Sequence, residues 1–388
     1  MEITLIESLK NIDLIEKSWV KLLNVTNTKT VYLEPDFYRR LFTTRAGNAK
    51  PYIVFFEEDN KPVGIIIGWT LSDKLQSKIG YAKFKTLKLR ILNIEIGGFV
   101  VLEHEKYQKY LIGYLEKLLS EKKFDLIRAN HFSSQNYLYK HFLINSSSNS
   151  VLTTKSVEWF AEIRDKETGL AKDYNSSVTR QTFRRKDRKL VNSFDKVEIK
   201  EYKNKNEVNE FIEKAEEISK KNYHYLLGIG IINNEFWKNS LTAMAEGNYL
   251  RAYILFADNI PLAYYQGVVF KDIFYDFVTS YNSDYSKLSP GSYLLRRVKE
   301  ICVENKINIF HFGYGDAEHK KVYGNNYFDE ASLNIYGSTF KAKISKCITR
   351  SSIGINNFLI KLLKKTGYLK KIKNLWRFFF TKKAAKMD

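Results

Sequence analysis

The chain has little with which to staple, kink or thread itself through a membrane. Its 388 residues include two cysteines, Cys302 and Cys347, and five prolines. Two cysteines cannot build a disulfide framework, neither lies in a CxxC pair, and a reducing, cytosolic compartment is the natural reading. Five prolines and nineteen glycines exclude collagen and low-complexity chain. No apolar run approaches the roughly 18 to 20 residues that span a bilayer; the longest, such as Ile96 to Leu102, fall far short. Met1-Glu2-Ile3-Thr4-Leu5-Ile6-Glu7 carries acids where a signal peptide needs a basic start. No histidine pair has metal-ligand spacing, and neither a GxSxG elbow nor a Walker loop occurs. Gly313-Tyr-Gly315 begins a dinucleotide fingerprint, but position 318 is Glu, and Gly228-Ile-Gly230 is likewise incomplete.

What is abundant is apolar side chain and positive charge. The chain is 44% hydrophobic, 15% aromatic and 27% charged, and 63 Lys+Arg against 43 Asp+Glu gives a net +20. Lys, Asn, Ile, Tyr and Phe are rich together, as an A/T-rich genome produces, so the aromatics do not by themselves argue for base stacking. The charge suits a polyanion, an anionic membrane surface or a phosphorylated substrate.

The chain is written twice. Pro51 to Trp69 and Leu250 to Phe270 each hold two apolar runs around an Asp-Asn turn, at Asp59-Asn60 and Asp258-Asn259, with a proline shortly after. Both predict β-hairpins. Each is followed by a strand, an amphipathic helix and another strand. The first helix carries Tyr107, Tyr110, Leu111, Tyr114, Leu115, Leu118 and Leu119 on one face; the second carries Tyr293, Leu294, Val298, Ile301 and Cys302. Helical sequence also precedes each hairpin, around Leu9 to Leu23 and Val208 to Ser219. The expected architecture is mixed α/β: one unit over 1–150, a second over 151–337 and a tail over 338–388, with Asn145 to Ser150 as linker.

Several clusters carry chemistry. Leu288-Ser289-Pro290-Gly291, with Ser292 behind it, stands between a strand and a helix. Free N–H groups and the helix dipole there favour a phosphate; an ordinary capped helix is the other reading. Asp316, Glu318, His319 and Lys320 follow a strand exit, where open α/β sheets place ligands. Acyl transfer would need a base, for which His319 is suited, and a cation for the developing oxyanion, for which Lys320 is suited. A solvated polar loop is the plain alternative, and His311 is expected within a strand. Arg180, Arg184 and Arg188 recur every four residues and form one basic stripe on a helix. A stripe can hold a phosphorylated substrate or an RNA backbone, or merely face water.

Three stretches resemble a known family: Arg180 to Leu190, Tyr281 to Leu295, and Phe310 to Gly324. Together they are similar to the GNAT acyltransferase fold in its tandem form, as in the CelD/BcsL-type acetyltransferases of polysaccharide synthesis, and more distantly to the Fem peptidoglycan aminoacyltransferases. The chain departs from the pattern at His311 and His319. The resemblance implies two tandem GNAT-like units, the first degenerate and the second catalytic. It implies acetyl-CoA or another acyl-CoA as donor, with no metal, and an amino sugar or cell-surface polysaccharide precursor as acceptor. The resemblance implies a catalytic role for Lys320, and the full set of catalytic candidates is His319, Lys320, Asp316 and Tyr285. The donor's pyrophosphate would lie on Leu288, Ser289, Gly291 and Ser292, and the acceptor on Arg180, Arg184, Arg188 and Tyr281. Two other functions stay open: a Fem-like aminoacyl-tRNA-dependent transferase, and a non-catalytic protein docking on membrane or nucleic acid.

From Ser338 to Asp388 the net charge is +13, against +7 for everything before it. Ile355, Phe358, Leu359, Leu362 and Leu363 fall on one helical face, and after Gly367 the pattern restarts with Tyr368, Leu369, Ile372, Leu375, Trp376 and Phe379. Two basic amphipathic helices result. Either they lie in an anionic membrane interface, or their apolar faces cover the second unit. The expected location is cytoplasmic, with peripheral contact at the inner face of the membrane under the first reading.

Overall fold

The repeat seen in the sequence becomes two runs of strands and helices of matching order. The structure is a computed structural model that describes residues 1–368 apart from 46, 81, 146–149, 173, 223–224 and 226–227; of 82, 144, 145 and 319 it describes no side chain. Most of the expected linker, and the second tail helix from Leu369 to Phe379, lie outside the described residues.

The elements of the first pass are β1 (Glu2–Ile6), α1 (Glu16–Val25), α2 (Pro35–Thr43), β2 (Lys50–Glu58), β3 (Lys61–Ile79), β4 (Ala82–Val101), α3 (Glu105–Ser120), β5 (Leu126–Ser133), α4 (Tyr137–Lys140) and β6 (Val151–Glu162). Those of the second are α5 (Ser177–Val191), β7 (Val197–Tyr202), α6 (Val208–Lys220), α7 (Glu235–Glu246), β8 (Leu250–Ala257), β9 (Ile260–Phe270), β10 (Ile273–Tyr281), α8 (Pro290–Glu304), β11 (Ile309–Tyr314), α9 (Glu318–Tyr323) and β12 (Asn326–Tyr336), followed by α10 (Phe340–Lys365).

Both predicted hairpins form. Asp59, Asn60, Asp258 and Asn259 all take positive φ, the conformation a two-residue hairpin turn demands and short polar side chains tolerate. The pairs Glu58↔Lys61 and Ala257↔Ile260 close them. In each unit the antiparallel meander ends in one parallel pair, β4 with β5 and β10 with β11.

The two passes exchange their last strands. Among the described residues, unit 1 comprises 1–157 and 328–368, and unit 2 comprises 158–327. The cause is pairing: β12 runs antiparallel to β5, from Glu330↔Ser133 to Tyr336↔Leu126, while the end of β6 runs antiparallel to β11, with Ala161 opposite Phe310. Boundaries drawn at 150 and 337 by linear reading therefore differ from the compact units. The tail departs from its reading too. Among the described residues its first helix, α10, starts at Phe340, well before Ile355, and its first half packs on the long β3/β4 hairpin of unit 1 rather than on unit 2. Ala342, Ser345 and Ser352 are buried there, and Asn356 accepts from the Gly80 N–H at 3.0 Å.

In unit 2, α8 lays Leu294, Val298 and Cys302, all fully buried, on Phe274, Phe310 and Phe312 of the sheet. Each large apolar side chain so buried contributes about 1.5–3 kcal/mol. On α6, Phe211 meets the Tyr264 ring edge-on at 6.1 Å. Helix α5 differs: Ser176 caps it by accepting from the Thr179 N–H at 3.2 Å, and only Leu190 of its fifteen residues is buried.

Candidate functional site

The site of unit 2 begins where two parallel strands part. Tyr275 and His311 are the last partners of β10 and β11. Beyond them β10 loses register with β9 between Asp276 and Val278, and β11 loses register with β6 between His311 and Tyr314. Gly313 (φ +67°) and Gly315 (φ +93°) carry the second irregularity, in a conformation that side chains rarely adopt. The divergence opens a pocket of about 600 Å³ at the carboxyl end of the parallel pair.

Asp276 and Lys320 both line it, with Phe312 and Trp237 among the apolar walls. Asp276 Oδ1 is sealed from solvent and has no hydrogen-bond partner. Burial pushes the Asp276 carboxyl up to about 7, and the Lys320 ammonium opposes that rise. Lys320 projects from α9, and its amine donates to the Tyr314 carbonyl at the strand end. A carboxyl that ionises near neutrality beside an ammonium can remove one proton and stabilise one developing negative charge.

The opposite wall is the loop Gly228 to Ile232. Buried Tyr264 anchors it: its hydroxyl accepts from the Ile231 N–H at 3.0 Å and bonds Ser219 Oγ at 3.0 Å. A Cβ at Gly230 (φ +120°) would come within 3.0 Å of that same Ser219 oxygen. The GxG that fails as a dinucleotide motif thus serves a loop packed tightly over the pocket. His311 is taken up within its strand. Its Nδ1 accepts from the Gly313 N–H at 3.3 Å, which leaves Nε2 to donate to Glu158 Oε1 at 3.1 Å.

Of the catalytic candidates whose side chains are described, Lys320 lines this pocket and Asp316 and Tyr285 do not. Asp316 pairs with Lys321 at 3.0 Å and is half exposed. Tyr285 packs on Phe194, ring centroids 5.8 Å apart. The His319 side chain lies outside the described residues. At the proposed phosphate turn, Leu288 packs into the core beside α8. Ser289 is left-handed (φ 57°), and its carbonyl accepts from the N–H groups of both Ser292 and Tyr293 at 3.1 Å. Pro290 has no N–H, so Gly291 carries the remaining donor of the first turn. Gly291 abuts the half-exposed Tyr281, to whose ring a Cβ would make ordinary contact at 3.6 Å. Arg180 and Arg184 line a second pocket of about 420 Å³ with α8 residues. Arg188 does not; its Nε donates to the Arg184 carbonyl at 3.4 Å.

Sequence reading missed Asp276, Tyr264 and the Gly228–Ile232 loop. The signal for Asp276 was present: it is the one acid in Ile273-Phe-Tyr-Asp-Phe-Val-Thr-Ser-Tyr281. Among the described residues no group of three or more His, Cys, Asp or Glu gathers as for a metal ion. Nor is any helix among them long and apolar enough to cross a membrane.

Residues 177–321 match the family described as acetyltransferase (GNAT) domain. No match is found among curated proteins. Among solved structures the chain is similar to FemX, with 10% identity, a TM-score of 0.51 and coverage of 94% of this chain and 100% of that one. It is similar to a tandem GNAT protein from the clavulanic acid biosynthesis pathway, at 8% identity and TM-score 0.51, over 87% of this chain and 99% of that one. A protein of unknown function from Bacteroides thetaiotaomicron gives 11% identity and TM-score 0.50, covering 86% and 100%. At such identities the likeness establishes the tandem GNAT-like fold, and the domain match establishes the class of chemistry. The chain carries a GNAT acetyltransferase domain on a mixed α/β fold, and it is an acyltransferase.

Proposed function

We propose that unit 2 transfers an acyl group from acyl-CoA to an amine or hydroxyl of an amino sugar or cell-surface polysaccharide precursor, as in the CelD/BcsL-type enzymes it resembles. One observation carries this reading: Asp276 and Lys320 share the pocket at the parting of β10 and β11. Asp276 acts as base and Lys320 as the cation facing the thioester oxygen. The acceptor's nitrogen or oxygen bonds to the carbonyl carbon and gives its proton to the Asp276 carboxylate. The C–S bond breaks, its electron pair leaves on sulfur, and the sulfur takes up a proton. Strand backbone beyond Tyr275 and His311, no longer paired between β10 and β11, is open to the amide groups of an extended donor.

The turn after β10 fits the donor's pyrophosphate in a reduced form. The Gly291 N–H and the hydroxyls of Ser289 and Ser292 are its donors, fewer than a glycine-rich loop supplies. Tyr281, beside Gly291, and the arginines of α5 border the acceptor. Unit 1, the degenerate copy, is structural. The exposed apolar side chains of α10, Ile355, Phe358, Leu359 and Leu362, lie among lysines, which supports peripheral contact with an anionic membrane. A protein without chemistry, the third reading, gives way to the acetyltransferase match at 177–321.

The test is thiol release from a panel of acyl-CoAs, with amino-sugar and hydroxyl acceptors. Lys320→Ala should lower turnover by about 10²-fold or more in a protein whose near-UV circular dichroism is unchanged. Turnover with aminoacyl-tRNA alone would replace the acyl-CoA reading by the Fem-like one; normal turnover in Lys320→Ala would remove the site assignment.

A further inference from the structure

We infer that the pocket shared by Asp276 and Lys320 takes an acyl chain of several carbons rather than an acetyl group alone. This rests on the acyl-CoA reading of the donor and names the class of acyl group it carries.

The two chemical groups stand in a largely apolar enclosure. Ile229 and Ile232 come from the loop, Phe236 and Trp237 from the first turn of α7, Val278 from β10 and Phe312 from β11. Local contacts set these walls in place. Ile231 is fully buried and tied to the Tyr264 hydroxyl, whereas its neighbour Ile229 is 54% exposed. The Asn233 N–H donates to Glu216 Oε1 at 2.9 Å, and Asn234 caps α7 by accepting from the Trp237 N–H at 3.0 Å. That cap holds Phe236 and Trp237 together, ring centroids 5.6 Å apart and planes at 74°. Phe236 is 51% exposed. Single exposed apolar residues are ordinary, but Ile229 and Phe236 line one pocket with the reacting pair.

An alkyl chain fits this wall better than a sugar does. A sugar ring needs hydrogen-bond partners. Besides Asp276 and Lys320, the described lining offers the Trp237 indole and the Thr279 hydroxyl, and that hydroxyl already donates to the Tyr264 carbonyl at 3.0 Å. An alkyl chain needs none and gains from apolar burial alone. The volume of about 600 Å³ is far more than the two carbons of an acetyl group fill. With the acceptor bordered by Tyr281 and α5, the apolar wall is left to the chain on the thioester carbon.

Isothermal titration of the full chain with CoA, acetyl-CoA, hexanoyl-CoA and hexylamine tests this without the natural acceptor. CoA is the reference donor without a chain. Each enclosed methylene should tighten binding about fourfold, and hexanoyl-CoA should bind at least about tenfold more tightly than acetyl-CoA. The double variant I229S/F236S should bring hexanoyl-CoA to within about twofold of acetyl-CoA. Both side chains are more than half exposed, so the fold is retained, and a matching thermal unfolding curve checks it. Equal wild-type affinity for acetyl-CoA and hexanoyl-CoA, or a chain-length gain kept by I229S/F236S, overturns the inference and leaves the acyl-CoA reading standing. Failure of all three CoA compounds to bind defeats that reading, and the inference with it. Hexylamine binding that follows Ile229 and Phe236 would then give the wall to an apolar acceptor.

Discussion

Asp276 of unit 2 and Glu95 of unit 1 stand at the same point of their strands. Each is the next residue after the last parallel pair, Tyr275↔His311 in one unit and Ile94↔Ala129 in the other. Burial raises the pKa of both. Their surroundings differ. Glu95 is paired to Arg45, whose guanidinium lies 4.4 Å over the Trp69 ring. Asp276 instead looks into an open pocket with Lys320. One copy of the unit has its acid capped by an arginine, and the other leaves it lining a pocket.

That burial has a thermodynamic sign. Asp276 has a folded pKa near 7, above its unfolded value of about 4. A carboxyl shifted upward favours the folded state only while protonated, so stability falls as pH rises between these values and stays lowered above 7. Asp276→Asn should therefore unfold at higher temperature than wild type at pH 8, by about 1–4 kcal/mol, with little difference at pH 4. Thermal melts at the two pH values check this; a lower melting point at pH 8 would contradict it.

Lys320 holds the Asp276 pKa down. Replacing it with methionine should move the rising limb of the pH–rate profile to higher pH, besides lowering kcat by about 10²–10³ through the lost oxyanion partner. Residual activity with an unmoved limb would show that the two groups do not act on each other.

In unit 1, Arg45→Met strands Glu95 in a buried place, with its side chain only 11% exposed. Stability should drop by about 2–4 kcal/mol, and Glu95→Gln in the same chain should recover most of it. Thiol release per folded molecule should not change. A folded Arg45→Met protein without turnover would give unit 1 a part in the reaction.

Tyr264→Phe removes the acceptor of the Ile231 N–H. The cost is about 1–2 kcal/mol, concentrated in the Gly228–Ile232 loop. Hydrogen exchange at the Ile231 amide should quicken, and KM for the donor should rise more than kcat falls. Unchanged exchange would mean the loop is held by something else.

The hairpins were legible because Asp-Asn between apolar runs has few other uses, and α8 because its apolar residues keep helical spacing. The exchange of β6 and β12 was not, since a strand's sequence carries its alternation but not the address of its partner. Helix α10 was read as starting late because its docked half buries Ala342, Ser345 and Ser352, which give no apolar signal. Lys320 could be proposed from its place after a strand. Asp276 could not be ranked, because its burial and its missing partner exist only once β10 and β11 part.

The pH dependence of thiol release in wild type and Asp276→Asn is the most direct test of the central claim. At saturating acyl-CoA and acceptor, the wild-type rate should rise through about pH 7, where the Asp276 carboxyl ionises, and then level off. Asp276→Asn should be slower by about 10²-fold or more and lack that limb. A variant that keeps both the rate and the limb would contradict the assignment of the reaction to this pocket.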